Sequence, residues 1–201
     1  MRTTVFWNAV GDDYVRRAAA LSLLSLLYHQ NLSLYHLEIV VCTQEPQYFV
    51  PLLQHDKISF RYVNDSFLIH WNYYAPIALC INPFTIFRKS IIPASERIST
   101  NSIIWQTNAN RIAFIGFPTQ IITETTDCLP ETIHKSIADK NIQWQTDTVL
   151  CAYSAEDTDS KNLIMNIMPE KIPNLHLDQL IGMIFPKIFQ ENPDFWAKYA
   201  C

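Results

Sequence analysis

A polar tripeptide interrupts an apolar stretch in the second half of the chain. Residues 101–110 are NSIIWQTNAN and continue into RIAFIG, so short apolar strands are predicted on either side of Gln106, Thr107 and Asn108. Amide oxygens can ligate a metal cation, but unlike carboxylates they do not offset its charge. If the tripeptide belongs to a ligand site, the affinity of that site for a divalent cation is expected to be low.

A second polar cluster follows the first apolar strand. TVFWNAV, residues 4–10, has the composition of a strand and leads into Gly11, Asp12 and Asp13. An aspartate here can cap a helix, and apolar residues from Val15 to Leu27 recur at helical spacing. The acidic pair is therefore expected at the start of a helix that has one buried stripe.

Composition excludes several classes of function. The chain has 201 residues, of which 49% are hydrophobic and 17% charged, so it is long enough to bury a core as one domain. Its three glycines argue against a glycine-rich phosphate loop. The net charge of −4 indicates no surface for nucleic acid.

The cysteines and the apolar runs indicate a cellular setting. Five cysteines, without a C-x-x-C pair or metal-type spacing, are expected to be free thiols in a reducing cytoplasm. No segment has the pattern of a signal peptide or the roughly 20 apolar residues of a membrane helix. We therefore expect a soluble, cytoplasmic protein with no transmembrane segment.

The first third of the chain alternates strands and helices. After the first helix, LEIVVCT (37–43) predicts a strand, PQYFVPLLQ (46–54) a short helix and KISFRYVN (57–64) a third strand. This order implies right-handed crossovers and a parallel sheet covered on both faces. Ligands of such sheets bind beyond the carboxyl ends of the strands, the first of which is at Asn8 to Tyr14.

The remaining elements are predicted from apolar runs and prolines. Residues 64–100 are expected to be helical in two pieces, broken near Asn82–Pro83 and stopped by Pro93. IQWQTDTVLCAYSA (142–155) predicts a strand and DTDSKNLIMNIM (157–168) a helix. HLDQLIGMIFPKIF (176–189) predicts a last helix interrupted at Pro186. No linker is visible, so a single domain over residues 1–201 is expected.

Five segments in the same order resemble a known family. They are VFWNAVGDDYVRRAAALSLLSLL (5–27), FRKSIIPA (87–94), NSIIWQTNANRIAFIG (101–116), YSAEDTDSKNLI (153–164) and HLDQLIGMIF (176–185). Together they resemble retaining galactosyl- and glucosyltransferases of the GT-A fold, the family that includes glycogenin and bacterial lipooligosaccharide galactosyltransferases. The resemblance implies an α/β, Rossmann-like domain with a mixed, mainly parallel sheet and helices on both faces. It also implies transfer of a hexose from a nucleotide-diphosphate sugar, UDP-linked, to a carbohydrate or glycoconjugate acceptor.

The resemblance also implies roles for individual residues. The base and ribose of the donor would be held near the first strand, its diphosphate or sugar by an arginine, and the reacting sugar by an Asp–Gln pair. Each role has a structural alternative. The aspartates at 12 and 13 can cap a helix, the arginine can be a solvent-exposed helix residue, and the aspartate at 178 can be an acidic residue in the first turn of a helix. The residues are Asn8, Ala9, Asp12 and Tyr14 for the nucleoside, Arg88 for the diphosphate, and Asp178 and Gln179 as the catalytic pair.

Two departures from the family concern the metal. Gln106 and Asn108 stand in the resemblance where a D-x-D motif supplies carboxylates to Mn²⁺ or Mg²⁺ at the donor site. The family's C-terminal H-x-x-G-x-x-K-P-W segment is also absent. We therefore expect no bound cofactor and doubt a divalent ion. A literal D-x-D at Asp157–Asp159 is better explained as the start of a helix.

Three hypotheses follow. The first is a small glycosyltransferase that works without a divalent ion, using Arg88, Lys89 or Arg97 to stabilise the leaving diphosphate. The second is a catalytically inactive pseudo-glycosyltransferase that binds a nucleotide sugar or a protein. The third is an unrelated α/β domain. The GT-A hypothesis expects the strands at 38–43 and 102–106 to follow the first strand in space.

Overall fold

A computed structural model of the chain describes residues 2–30, 32, 36–63, 75–98, 104–108, 111–119, 151–153 and 158–190. Within these residues strands and helices alternate along the chain. The strands are β1 Thr3–Ala9, β2 Leu37–Thr43, β3 Ile58–Tyr62, β4 Ile77–Ile81, β5 Thr85–Phe87, β6 Ile104–Asn108, β7 Arg111–Pro118 and β8 Cys151–Tyr153. The helices are α1 Asp13–His29, α2 Pro46–Phe49 with a 3₁₀ turn Val50–Gln54, α3 Ile92–Glu96, α4 Thr158–Ile167 and α5 Leu177–Gln190.

Six strands form one mixed sheet in the order β3-β2-β1-β4-β7-β6. The first four strands in this order are parallel, β7 is antiparallel to β4, and β6 is antiparallel to β7. β5 and β8 pair separately. The predicted α/β fold with a mixed, mainly parallel sheet is confirmed. None of the helices in the described ranges is long and apolar enough to cross a membrane.

α1 is the central helix of the core. Its residues from Arg17 to Leu27 are buried on every side, between the sheet, β5, α4 and α5. A helix that is apolar all round is expected only where other elements surround it. The indole N–H of Trp7 on β1 donates to Ser22 Oγ of α1 at 2.9 Å, which joins the helix to the central strand.

Both faces of the central strands are buried. On β1, Val5 and Trp7 belong to the main apolar cluster with α1. Phe6, between them in sequence, points to the opposite face and is also fully buried. Strands buried on both faces have continuous apolar sequences, which is why β1, β2 and β4 show no alternation of polar and apolar residues.

The helix predicted across residues 77–87 is wrong. The structure has β4 and β5 there instead of helix, and the break expected at Asn82–Pro83 is the turn between them. A five-residue apolar run cannot be assigned to helix or strand by periodicity, and the central position beside β1 makes it a strand. Pro93 does not stop a helix but lies in the first turn of α3, where its missing N–H costs little. Residues 64–74 and 99–100 of that prediction lie outside the described residues.

The interruption predicted at Pro186 is also wrong, because α5 continues through it. A proline ring clashes with the carbonyl four residues earlier, which here belongs to Gly182. Among the described residues, no atom outside the helix's own backbone and the two chain neighbours lies within 4 Å of the place a Cβ would take at Gly182, so this position is open on its outer side. The helix predicted at 157–168 is confirmed as α4. Only residues 151–153 of the strand predicted at 142–155 are described, and they form β8.

Candidate functional site

The strand order reverses at β1. The chain passes from β1 outward to β2 and β3, then returns to place β4 on the other side of β1. In sheets of this kind such a reversal opens a crevice beyond the carboxyl ends of the two strands concerned. Asn8 and Ala9 end β1, and Asn82 follows β4, so these residues lie at this crevice.

Two aromatic rings and a cation meet beside these strand ends. Tyr14 lies in the first turn of α1, and its ring centroid is 5.0 Å from that of Phe84 at an interplanar angle of 35°. Lys161 Nζ of α4 lies 5.6 Å from the Tyr14 centroid, within the range of a cation–π contact. Tyr14 is buried and Phe84 partly exposed. The crevice therefore has an aromatic wall with an ammonium group next to it.

A bulge in the β6–β7 hairpin holds the turn after β4. Gln106 pairs with Phe114 but Thr107 pairs with Ile112, so Ala113 has no partner on β6. The Ala113 carbonyl accepts hydrogen bonds from the Asn82 N–H at 2.9 Å and from Thr85 Oγ1 at 2.8 Å. Bulges often redirect groups near functional sites.

The side chain of Asn82 shapes the same turn. Its Oδ1 accepts a hydrogen bond from the Phe84 N–H at 3.0 Å, the pattern by which asparagine forms a turn without glycine. This bond places Phe84 against Tyr14. Asn82, Phe84 and Lys161 are thus site residues that the sequence interpretation missed, although Asn-Pro after an apolar run is a turn signal.

The two aspartates at the start of α1 have structural partners. Asp12 Oδ1 accepts a hydrogen bond from the Val15 N–H at 3.1 Å and caps the helix, as predicted. Asp13 Oδ2 lies 2.6 Å from Arg17 Nε. Gly11 has a φ of 142°, a conformation that favours glycine, and its carbonyl accepts from Arg16 at 3.1 Å.

The structure brings only part of the predicted site together. Four of the predicted residues lie close together in sequence, at the end of β1 and the start of α1. They are Asn8, Ala9, Asp12 and Tyr14.

Gln106 and Asn108 lie on a different strand from the one beside β1. They lie within β6, not between two strands as predicted, and β7 separates β6 from β4. The expected neighbour of β1 at 102–106 is thus replaced by β4, while the neighbour at 38–43 is confirmed as β2. The physical reason is local pairing, because residues 104–108 form an antiparallel hairpin with β7.

Arg88, Asp178 and Gln179 lie away from the crevice. The chain runs along α1 from Phe84, beside Tyr14, through β5 to Phe87, whose N–H donates to Ser25 Oγ at 2.9 Å. Arg88 therefore lies near the end of α1, where its charge acts on His29. Asp178 borders a cavity with the last residues of α1, and Gln179 is its exposed neighbour on α5. The 17 residues of α1 span roughly 25 Å, which separates these groups from Asp12.

Two cavities of about 800 Å³ flank α1. One lies at the end of α1 and is named the histidine cavity, because His29, His55 and His176 line it. The other lies beside the start of α1, where acidic and basic side chains balance each other. Neither cavity is lined by Asn8, Ala9, Asp12 or Tyr14. The residues of the second cavity include Asp13, Arg16, Glu45, Tyr48, Lys171 and Asn174.

Two groups with displaced pKa values lie away from the crevice, on the buried Tyr48 and the partly buried Cys80. Burial raises the pKa of the Tyr48 hydroxyl, which donates to the Pro169 carbonyl at 3.1 Å. Burial also raises the pKa of the Cys80 thiol to about 12, and the nearby Cys42 adds to this effect. Both groups are therefore protonated at neutral pH and are unsuited to act as bases there.

The described residues do not fit a divalent cation at the crevice. In the described ranges, no group of three or more His, Cys, Asp or Glu side chains is arranged to hold a metal ion. The nearby carboxylates serve as the cap of α1 and as the partner of Arg17. Mn²⁺ and Mg²⁺ need several hard oxygen ligands, which this part of the chain does not assemble.

Comparisons with known proteins locate the fold. No protein-family model matches the sequence, and no curated protein is detectably similar to it. The structure is similar to the glycosyltransferase GlyE of Streptococcus pneumoniae TIGR4, with 15% identity, a TM-score of 0.47, and coverage of 71% of this chain and 40% of GlyE. It is similar to the galactosyltransferase LgtC, crystallised with donor and acceptor sugar analogues, with 11% identity, a TM-score of 0.45, and coverage of 70% and 67%.

A third similarity is more extensive. A Bacillus anthracis protein assigned as a glucose-1-phosphate thymidylyltransferase, crystallised with sucrose, has a TM-score of 0.52 and 8% identity. The match covers 82% of this chain and 94% of that protein. At such identity the similarity concerns the fold alone. The fold is GT-A-like, whereas membership of the glycogenin family remains a prediction.

Proposed function

We propose that this chain is a GT-A-type glycosyltransferase that binds a nucleotide-diphosphate sugar, UDP-linked, in the crevice beyond β1 and β4. It would transfer a hexose to a carbohydrate or glycoconjugate acceptor. The observation that carries the proposal is the reversal of strand order at β1. Tyr14 contacts Phe84 beside that reversal, where Asn8 lies at the end of β1 and Asn82 follows β4.

The nucleoside would be held by the end of β1 and the start of α1. The Asn8 side chain, at the end of β1, can donate to the edge of a base through its amide N–H groups, and the exposed edge of Phe84, which packs on Tyr14, can lie against the ring of the base. Asp12 is exposed and caps α1 through Oδ1, so its Oδ2 can accept from a ribose hydroxyl. Ala9, small and buried, lets the backbone approach the ligand closely.

The diphosphate would be stabilised by Lys161 without a divalent ion. Its ammonium group lies 5.6 Å from the centroid of the Tyr14 ring, in the first turn of α1. An ammonium group can neutralise the charge that develops on a leaving diphosphate, as a metal ion does in other enzymes. Lys161 thereby takes the role first suggested for Arg88, which lies at the other end of α1.

An inactive, nucleotide-sugar-binding protein is the second candidate, and the placement of Asp178 favours it. The predicted catalytic pair, Asp178 and Gln179, is far from the crevice. Among the described residues of the crevice the carboxylates of Asp12 and Asp13 both have structural partners. A pseudo-glycosyltransferase would keep the nucleoside contacts and release no UDP from any UDP-hexose.

Titration of the purified chain with UDP and with uridine tests the nucleotide proposal. At a hundredfold excess over its dissociation constant, UDP should stabilise the fold by about 2.7 kcal/mol. Lys161→Ala should weaken UDP binding roughly tenfold, about 1.4 kcal/mol, and leave uridine binding unchanged, because only UDP carries the diphosphate. Lys187→Ala, which removes an exposed lysine of α5, is the matched control.

The outcomes separate the candidates. Equal UDP affinity in Lys161→Ala and the parent would remove Lys161 from the site, and no binding of UDP or GDP would overturn the nucleotide proposal. Release of UDP from a UDP-hexose, measured with and without EDTA, distinguishes an enzyme from an inactive binder. Activity that EDTA abolishes would contradict transfer without a metal.

A further inference from the structure

The histidine cavity lies at the end of α1, opposite to the proposed nucleotide crevice. Its volume of about 800 Å³ is in the range of small-molecule sites. The last turn of α1, the end of the 3₁₀ turn and the first turn of α5 enclose it. Its polar and aromatic lining residues are Tyr28, His29, Gln30, His55, His176 and Asp178.

His29 contributes a neutral imidazole. Burial lowers its pKa and the charge of Arg88 lowers it further, against a hydrogen bond with the backbone of Phe87. Within the part of the chain that is described, His29 Nε2 is buried and has no hydrogen-bond partner. Because this atom has no exposed surface, the ring contributes to the wall of the cavity and not a direct hydrogen bond to a ligand.

His55 and Gln30 contribute polar groups. His55 Nδ1 accepts a hydrogen bond from the Lys57 N–H at 3.2 Å and lies 3.2 Å from Asp56 Oδ1. Gln30 Oε1 accepts from Ser90 Oγ at 2.7 Å, which leaves the amide N–H groups of Gln30 to donate. The cavity thus offers imidazole and amide groups for hydrogen bonds to a ligand.

Asp178 contributes an acceptor and excludes anions. Its carboxylate lies in the first turn of α5 and is exposed to solvent. The α5 N-terminus alone would favour an anion, but a carboxylate in the cavity repels phosphate and sulfate. A metal ion is not favoured either, since the described residues form no group suited to hold one.

Tyr28 adds a fixed aromatic surface. Its ring stacks on Phe185 of α5 with centroids 3.4 Å apart at an angle of 10°, and the His29 ring packs edge-on at 5.0 Å. In spite of these contacts 52% of Tyr28 is exposed. An exposed aromatic ring that is held in place beside polar groups suits a ligand with one apolar face and several hydroxyls.

We propose that the histidine cavity binds a neutral saccharide. Each sugar hydroxyl both donates and accepts, which matches the mixture of imidazole, amide and carboxylate groups, and the C–H face of a sugar ring can pack on Tyr28. The cavity is roughly 25 Å from the crevice along α1. Saccharide binding here does not depend on the proposed nucleotide binding, and the site would hold carbohydrate remote from any reacting sugar.

The test is a titration of the full chain with maltotriose, lactose and sucrose, followed by calorimetry and by saturation-transfer NMR. At least one saccharide should bind saturably. Tyr28→Ala and Asp178→Asn should each weaken that binding about tenfold or more. Glu170→Gln, the same acid-to-amide change at an exposed position that does not line the histidine cavity, should bind like the parent.

Parallel titrations with Zn²⁺ alone and with inorganic phosphate alone identify other ligands. Imidazole signals of His29 and His55 that respond to either ion but to no saccharide would overturn the proposal. Equal saccharide affinity in the parent, Tyr28→Ala and Asp178→Asn would also overturn it. Tyr28→Ala removes the packing on Phe185 and can lower the stability of the fold. In that case the saccharide affinity of Asp178→Asn decides the test, with an unchanged thermal transition as the sign that this variant is folded.

UDP titrations of the same samples keep the two proposals apart. A chain that binds saccharide but no UDP supports the histidine cavity and overturns the nucleotide crevice. A chain that binds UDP but none of the three saccharides overturns the histidine cavity alone. UDP affinity should be the same in Asp178→Asn as in the parent, because Asp178 lies at the other end of α1.

Discussion

Asp12 combines a structural role with the position expected of a ligand contact. Its Oδ1 caps α1, and the residue is exposed beside the end of β1. The cap was foreseeable because an aspartate before a helical pattern acts on its own neighbours in sequence. Whether its second oxygen also binds ribose is a separate question, which substitutions can answer.

Asparagine and alanine at position 12 should have different effects. Asp12→Asn keeps an oxygen for the cap, so stability should be unchanged, whereas Asp12→Ala should lose about 1 kcal/mol of unfolding free energy. If Oδ2 binds ribose, Asp12→Asn should weaken UDP binding roughly tenfold, because an amide nitrogen cannot accept. Urea denaturation and UDP calorimetry measure the two effects. Unchanged UDP affinity in Asp12→Asn would leave the cap as its only role.

At the scale of elements, the contact between α1 and α4 depends on one buried guanidinium group. Arg17 Nε pairs with Asp13 at 2.6 Å, and Arg17 Nη1 donates to the carbonyls of Met165 and Met168 at 3.0 and 2.6 Å. These carbonyls belong to the end of α4, where they have no partner within the helix. Arg17 thus stabilises the end of one helix from the first turns of another.

Arg17→Met should therefore destabilise the fold by about 2–3 kcal/mol, because two carbonyls and a carboxylate lose a charged donor while the apolar stem is kept. Arg2→Met is the matched control, since Arg2 is exposed and its pair with Glu38 is worth less than about 1 kcal/mol. Urea denaturation of both variants gives the comparison. Equal losses in the two would show that the Arg17 contacts contribute no more than a surface pair.

The strands and helices differ in how well the sequence predicts them. β1, α1, β2 and α4 were predicted because each has a clear period or a cap. β4 was not, because Ile77–Ile81 is too short for its periodicity to distinguish strand from helix. Its conformation depends on hydrogen bonds with β1 and β7, which are distant in sequence.

For the whole molecule, His29 links pH to stability. It lies where the end of α1, the end of β5 and the histidine cavity meet. Its pKa in the fold is below the ordinary value of 6.5, so the unfolded chain binds more protons between the two values. The unfolding free energy should therefore fall as the pH drops through 6.5 towards the lower, folded pKa.

Denaturation of the parent and of His29→Gln at pH 7.5 and 5.5 tests this linkage. The parent should lose more stability on acidification than His29→Gln, whose side chain does not titrate. His36→Gln, at an exposed position before β2, should behave like the parent. A parent and a His29→Gln variant with the same pH dependence would contradict the assignment.

The sequence alone determined the α/β class, the early strands and helices, and the group formed by Asn8, Ala9, Asp12 and Tyr14. Helix caps, hydrophobic periodicity and contacts between sequence neighbours involve residues only a few positions apart, so they can be predicted from the sequence alone.

Only the tertiary structure decided which strand lies beside β1 and which end of α1 each polar residue meets. Residues 77–81 and 104–108 are both five-residue strands, and their sequences do not determine which of them pairs with β1. The pairing follows from burial on both faces and from the hairpin that residues 104–108 form with β7. That choice put β4 and β7 between β1 and the strand that contains Gln106 and Asn108, and the path of β5 along α1 carried Arg88 to the end where Asp178 lies.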